Sequence, residues 1–212
     1  MDVLAEIAKA IIDGNHQRVG ELTGQVIEEG VAPKSILDDG LIAGMDVVGE
    51  RFRVHEIFLP DVLMAAKAMY AGMDQLRPLL IKEGIPSLGK IVIGTVQGDL
   101  HDIGKNLVGI MLKGAGFEVV DLGHDVAPEK MVETAKEQQI PVIGMSALLT
   151  TTMPMMREVI QRLKDEKLDG DIKTVVGGAP VTKAFARDIG ADAYGFDAAN
   201  AVGVVKRLSG VV

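Results

Sequence analysis

The stretch KIVIGTVQGDLHDIGKN, residues 90–106, sets the pattern for the second half of the chain. It begins with a short apolar run, Lys90–Val96, continues as a loop rich in glycine and acidic residues, and passes into a helix-like segment. An apolar run of this length that is bounded by turn residues is typical of a buried strand. The stretch therefore predicts one strand–loop–helix unit.

The same unit recurs along the rest of the chain. Further short apolar runs, each followed by a loop and a helix-like segment, are Phe117–Asp121, Pro141–Ser146, Lys173–Gly177 and Ala191–Gly195. Strands that alternate with helices are joined by right-handed crossovers, so we predict a Rossmann-like (flavodoxin-like) five-stranded parallel sheet with helices on both faces. Such sheets bind ligands outside the carboxyl ends of their strands. The loops to inspect are 97–104, 122–127, 146–153, 177–181 and 195–199.

Before residue 84 the apolar residues follow a helical period instead. Four such segments lie along Leu4–Ile12, Val19–Ile27, Leu37–Phe52 and Val62–Leu80. Apolar positions spaced three or four residues apart form one stripe on each helix, and short connections favour a four-helix bundle. The period breaks in the glycine- and proline-containing stretch 83–89. We therefore predict a helical bundle domain over 1–84, a linker at 85–89 and an α/β domain over 90–212.

Composition excludes several classes of function. The chain has 212 residues, 48% of them apolar and 25% charged, with a net charge of -8 and no cysteine. An acidic chain attracts no phosphate backbone, so we expect no nucleic acid partner. The absence of cysteine excludes disulfides, thiolate metal sites and a cysteine nucleophile. No apolar run is long enough to span a membrane, and we expect a cytoplasmic protein without a membrane partner.

The loop after the first predicted strand carries the main chemical signal. His101 lies there between Asp99 and Asp102, and three roles suit it: a metal ligand, a general base, or an axial ligand to a cofactor metal. A solvated polar loop is the simple alternative. The third predicted strand ends at Ser146, before a run of threonines, and the fourth ends at a glycine pair, which allows close approach of a bulky ligand.

Taken together, these residues resemble a known signature. Asp-x-His-x-x-Gly at 99–104, Ser-x-Leu at 146–148 after 41 residues, and Gly-Gly at 177–178 after 28 more are similar to the cobalamin-binding motif of the corrinoid methyltransferase family. The stretches 48–52 and 58–60 resemble the helical cap module that precedes the cobalamin domain in methionine synthase. The resemblance covers nearly the whole chain. It is greatest to the small methyl-carrying corrinoid proteins of methanol, methylamine or methoxyarene methyltransferase systems.

The resemblance implies a role for each matched residue. His101 replaces the lower base as axial ligand to cobalt (His-on, base-off), and Asp99 and Thr152 form a hydrogen-bonded relay behind it. Ser146 would contact the nucleotide base, and Thr150 a corrin side chain. Residues lining the slot for the nucleotide tail would be Gly104, Leu148, Gly177 and Gly178. Further contact positions are Gly98, Leu100, Asp102 and Ala198. Phe52 and Leu59 of the cap would cover the upper face of the cofactor.

The function implied by the resemblance is that of a methyl carrier, not an enzyme on its own. Its partners would be a substrate-specific methyltransferase, a corrinoid:tetrahydrofolate or corrinoid:coenzyme M methyltransferase, and a reductive activation protein. The partners, not this chain, would determine the methyl donor and acceptor.

Three rival classes share part of the pattern. A cobalamin-dependent sensor or regulator would need an output domain, for which we expect no room. Small subunits of adenosylcobalamin mutases generally lack the helical cap. A phosphorylated receiver domain would need an aspartate where Ser146 lies.

Overall fold

The computed structural model describes residues 2–210, and the chain divides into two compact units. One unit contains the residues up to Ser87 together with Lys113–Gly116. The other contains Leu88–Leu112 and the residues from Phe117 onward. Among the described residues, no helix is both long enough and apolar enough to cross a membrane.

The first unit is helical, as predicted. Its segments are α1 (Val3–Ile12), α2 (His16–Glu28), α3 (Pro33–Ser35), a π-helical segment (Ile36–Ile42), α4 (Ala43–Arg53) and α5 (Leu59–Lys82). The side chains of Asp2 and Asn15 accept backbone N–H bonds at the starts of α1 and α2, which satisfies donors that a helix leaves free at its first turn. Pro33 lies at the start of α3, where a missing N–H removes no helical bond.

The third predicted helix is less regular than its sequence pattern suggests. Leu37–Phe52 reads as one helical stripe, but residues 36–42 are wound as a π-helix. Gly40 and Gly44 lie where α1 approaches, and a methyl group added at Gly44 would lie 2.8 Å from the carbonyl oxygen of Ala8. The wider turn and the two glycines accompany this close approach of backbones. The spacing of apolar side chains in the sequence does not reveal this close approach.

The second unit is the predicted parallel sheet with helices. Its strands are β1 (Lys90–Thr95), β2 (Glu118–Asp121), β3 (Val142–Ser146), β4 (Lys173–Gly177) and β5 (Ala193–Gly195). Its helices are α6 (Ile103–Gly114), α7 (Pro128–Glu137), α8 (Pro154–Asp165), α9 (Lys183–Ile189) and α10 (Ala198–Leu208). All strand pairs are parallel, in the order β2-β1-β3-β4-β5. The flavodoxin-like prediction is confirmed.

The strand register brings the loops after β1, β3 and β4 together. Thr95 pairs with Ser146, and Ser146 pairs with Gly177, so β1, β3 and β4 end at the same level. Below them, Val92, Ile143 and Val176 are fully buried in the core. The order reverses between β1 and β3, which is the switch point at which such sheets bind ligands.

Candidate cofactor site at the carboxyl edge of the sheet

His101 presents one ring nitrogen outward and holds the other on a carboxylate. Its Nδ1 lies 2.7 Å from Asp99 Oδ1. Because an ionised carboxylate only accepts hydrogen bonds, Nδ1 carries a proton, and in the neutral imidazole the lone pair is on Nε2. The His101 side chain is 51% exposed, so Nε2 is available to a metal. A carboxylate behind a histidine in this way fixes the tautomer and raises its basicity as a ligand.

Asp99 links the loop after β1 to the loop after β3. Its Oδ2 accepts the backbone N–H groups of Leu148 at 2.8 Å and Leu149 at 3.1 Å. Thr152 Oγ1 lies 2.9 Å from the same oxygen and 2.9 Å from the carbonyl of Leu149. The single hydroxyl proton can be donated to either acceptor. The predicted series His101, Asp99 and Thr152 is present as a continuous set of hydrogen bonds.

The environment of Asp99 keeps its carboxyl group ionised. Its side chain is fully buried, and burial alone would raise its pKa. Hydrogen bonds from the side chain and backbone of His101, then from Leu148 and Thr152, outweigh the burial and hold the pKa well below its ordinary value. His101 thus has a charged partner at neutral pH.

Gly98 shapes the turn that begins this loop. Val96 accepts the N–H of Asp99 at 3.1 Å, and Gly98 adopts a φ of +82°, as glycine does at the third position of a type II turn. A methyl group at Gly98 would lie 3.4 Å from Thr152 Cγ2. The methyl group of Thr152 therefore lies beside a residue that has no side chain.

Backbone packing within the protein explains why both residues at the end of β4 are glycine. Gly178 has a φ of +123°, and a side chain there would overlap the carbonyl oxygen of Ala147. A side chain at Gly177 would come within 2.9 Å of the carbonyl oxygen of Gly195. Both glycines let neighbouring backbones approach closely. Their role in lining a ligand slot stays a prediction.

Gly104 differs from that pair. It lies exposed in the first turn of α6, and nothing stands within 4 Å of the position that its Cβ would occupy. Its φ is not among the positive ones, so backbone geometry does not require glycine there. The free space beside Gly104 is what a bound group would use.

Apolar side chains exposed to solvent in this unit gather at the same edge. Leu100 is 66% exposed, Ile103 73% and Phe196 62%. Leu148 and Leu149 are also exposed. All five lie in or directly after loops that follow β1, β3 and β5. An apolar surface around one outward imidazole nitrogen fits a large, flat cofactor. The protein would then supply one ligand to the metal, and the cofactor itself would supply the others.

The remaining predicted contact residues occupy varied positions. Ser146 and Asp102 are half-buried, and Thr150 is exposed in the loop after β3. Ala198, in the first turn of α10, is buried, which leaves little of its side chain for a ligand. Phe52 and Leu59 are half-buried in the helical unit. Their roles toward a cofactor stay predictions.

Sequence reasoning missed two contacts to the His101 loop. Lys105 is only 5% exposed, and its ammonium lies 2.6 Å from both carboxylate oxygens of Asp121, at the end of β2. Asp125 accepts the N–H of Gly98. The partners are 16 and 27 residues apart. A buried lysine calls for a carboxylate, but only the sheet order shows which one.

Fold and site define a class of protein: an α/β domain with a carboxylate-backed imidazole, amid apolar side chains, at the carboxyl edge of its parallel sheet. Two family models match the chain, both described as B12 binding domain, at residues 89–203 and 3–77. The chain belongs to the B12-binding corrinoid proteins, and its cofactor is cobalamin or a related corrinoid.

Known relatives match along most of their length. A corrinoid protein of Desulfitobacterium hafniense is 43% identical over 213 residues, which is 99% of both chains. Dimethylamine corrinoid protein 1 of Methanosarcina acetivorans is 46% identical over 208 residues, 98% of this chain and 97% of that protein. The methanol:cobalamin methyltransferase complex of Methanosarcina barkeri contains a chain with a TM-score of 0.87 and 33% identity, covering 100% of this chain and 81% of that one.

Proposed function

We propose that this protein carries a methyl group between two methyltransferases, on a corrinoid whose cobalt is ligated by His101. One methyltransferase would load the group from a small methylated substrate. The other would pass it to tetrahydrofolate or coenzyme M. A reductive activation protein would restore the cofactor after accidental oxidation.

The observation that carries the proposal is the arrangement of His101, Asp99 and Thr152. The imidazole has one nitrogen fixed by a buried, ionised carboxylate and the other free beside exposed apolar side chains. When bound, the corrinoid supplies a cobalt centre that can accept and release a methyl group. The chain's own residues hold the cofactor, orient the imidazole and keep the Nδ1 proton on the side of Asp99.

The relatives support the choice of partners. The printed names of similar proteins include dimethylamine and trimethylamine corrinoid proteins, and a similar chain occurs in a methanol:cobalamin methyltransferase complex. The names of these relatives therefore associate each of them with a small methylated substrate. A methylamine or methanol methyltransferase is the loading partner that we propose for this chain.

A pair of histidine variants tests the ligand assignment. In the cobalt(II) form, electron paramagnetic resonance should show coupling to one axial nitrogen, and His101→Ala should abolish it. The control is His124→Ala, which removes an exposed histidine from the loop after β2. Coupling that persists in His101→Ala would disprove His101 ligation.

Methyl transfer itself needs a separate measurement. The protein loaded with methylcobalamin should methylate coenzyme M or tetrahydrofolate only when the matching acceptor methyltransferase is added. Turnover by the loaded protein alone, or no transfer with any acceptor enzyme, would contradict the carrier role.

A further inference from the structure

The loop after β2 contacts the His101 loop through Asp125. The Oδ1 of Asp125 accepts the N–H of Gly98 at 2.7 Å, and the N–H of Asp125 donates to the carbonyl of Asp99 at 3.0 Å. These two bonds hold both ends of the Gly98–Asp99 segment. Asp99 also donates its own N–H to Val96. The backbone of the residue that orients the imidazole is therefore fixed on both sides.

Asp125 adopts a backbone conformation that residues other than glycine seldom take. Its φ is +54°, and for an L residue this region costs about 1–2 kcal/mol, less for aspartate and asparagine. Glycine would adopt the same φ without that cost. What aspartate adds over glycine at this position is its carboxylate, and one of its oxygens holds Gly98.

A second anchor lies on the other side of His101. Asp121, the last residue of β2, holds the buried ammonium of Lys105 in the first turn of α6. Asp121 Oδ1 also accepts the N–H of Gly123 at 2.9 Å, so the carboxylate is itself held in place. His101 lies between the two anchored points of the loop.

We propose that Asp121 and Asp125 are positioning residues for the axial ligand: together they form a clamp, at the end of β2 and in the loop after it, that sets the direction of the His101 imidazole by fixing the backbone before and after it. The proposal rests on the proposed function, since it assumes that His101 ligates cobalt. Neither carboxylate touches His101 itself. The clamp acts by fixing the backbone on both sides of the imidazole.

Three single variants separate the carboxylate of Asp125 from its backbone conformation. Asp125→Gly keeps the positive φ and removes the acceptor. Asp125→Asn replaces the carboxylate oxygen by an amide oxygen, which still accepts a hydrogen bond. Asparagine also tolerates this φ. Gln139→Gly is the matched control, because Gln139 also has a φ of +54° but lies at the end of α7.

The probe is cobinamide, a corrinoid without a nucleotide base, so that the protein alone supplies the axial nitrogen. Asp125→Gly should raise the Kd for cobinamide about tenfold, at the lower end of the roughly 10–100-fold loss that follows when a group orienting a metal ligand is removed. Asp125→Asn and Gln139→Gly should bind as the unmodified protein does. In the protein without cofactor, hydrogen exchange over residues 97–101 should be faster in Asp125→Gly only.

The second anchor is tested by a double variant, Lys105→Met with Asp121→Asn, which removes both charges and leaves no buried ion unpaired. It should also weaken cobinamide binding and reduce the fraction of cobalt(II) with axial nitrogen coupling. Exchange should now rise over the first turn of α6. Cobinamide binding within twofold of the unmodified protein would overturn this half of the clamp.

Failure of the clamp and failure of the proposed function give different results. If the unmodified protein binds cobinamide without axial nitrogen coupling, the assignment of His101 fails, and the clamp fails with it. If the unmodified protein shows the coupling but Asp125→Gly binds equally well, or Gln139→Gly weakens binding as much, only the clamp is overturned.

Discussion

At the scale of single residues, the site is organised around one buried carboxylate. Asp99 accepts hydrogen bonds from two groups of His101 on one oxygen and from the loop after β3 on the other. A buried carboxylate that accepts hydrogen bonds from this many donors has two effects. It orients the imidazole of His101, and it fastens the loops after β1 and β3 to each other.

Replacing Asp99 by asparagine should therefore destabilise the protein without cofactor. In either orientation the amide turns an NH2 group toward buried donors, and we expect a loss of about 2–3 kcal/mol in the free energy of unfolding at neutral pH. Because folding lowers the pKa of Asp99, its contribution is complete above the ordinary carboxyl pKa of about 4 and decreases as the pH falls below it. The difference between Asp99→Asn and the unmodified protein should thus shrink in acid.

Urea unfolding at a series of pH values measures this difference. The neighbouring half-buried acid gives a control, since Asp102→Asn should change the unfolding free energy much less. A difference that is as large in acid as at neutral pH would contradict the assignment of the stabilisation to the ionised carboxylate.

Gly104 should show the opposite behaviour, a gain in stability with a loss of binding. Nothing lies within 4 Å of its Cβ position, so Gly104→Ala should stabilise the protein without cofactor by about 0.5–1 kcal/mol. The added methyl would occupy space that we assign to the cofactor, and affinity for cobalamin should fall. Gly203→Ala, at a helical glycine whose Cβ position has ordinary contact at 3.8 Å with the flexible Arg207 side chain, should raise the stability without lowering the affinity for cobalamin. Equal affinities of both variants would remove Gly104 from the site.

At the scale of elements, the strands were predictable and one helix was not. Parallel strands are buried on both faces and occur in the sequence as short apolar runs, and every predicted strand agrees with the structure within two residues at each end. The π-helical turn leaves the apolar stripe intact, because Ile36, Leu37 and Leu41 are buried either way. A pattern of side-chain polarity cannot distinguish the two windings.

The glycine that comes after the π-helical segment is testable as a packing feature. Gly44→Ala would place a methyl 2.8 Å from the Ala8 carbonyl oxygen and 2.9 Å from Ile11 Cβ, and overpacking of this kind costs about 1–3 kcal/mol. Thermal unfolding should show the loss. Gly20→Ala in α2, where the nearest atom is 3.6 Å away on Gln75, should not destabilise. An unchanged melting temperature in Gly44→Ala would show that α1 and α4 can separate without cost.

At the scale of the whole molecule, sequence reasoning located the polar residues at strand ends and missed the contacts that join neighbouring loops. The association of His101, Asp99 and Thr152 was predicted from the resemblance to the corrinoid family, and the strand pattern placed the loops that contain them at one edge of the sheet. The contacts of Lys105 with Asp121 and of Asp125 with Gly98 depend on β2 lying beside β1. Pairing between strands results from packing of the entire sheet, and no local pattern in the sequence encodes it.

The helical unit carries a prediction that depends on the whole molecule. By resemblance, we propose that Phe52 and Leu59 shield the upper face of the corrinoid, although Phe58 is the more exposed aromatic, at 67%. An apolar cover would hold a photolysed methyl radical near cobalt and favour its recombination. Phe52→Ala, loaded with methylcobalamin, should therefore lose the methyl group in light faster than the unmodified protein.

Phe58→Ala is the matched control, because it removes the same side chain six residues away. It should photolyse at the unmodified rate, and both variants should bind cobalamin normally, since the proposed ligand and slot residues all lie after residue 90. Faster photolysis in Phe58→Ala alone would assign the shielding role to Phe58 instead of Phe52. Unchanged rates in both variants would assign Phe52 to the packing of the bundle, because a residue that covers the methyl group cannot be removed without exposing it.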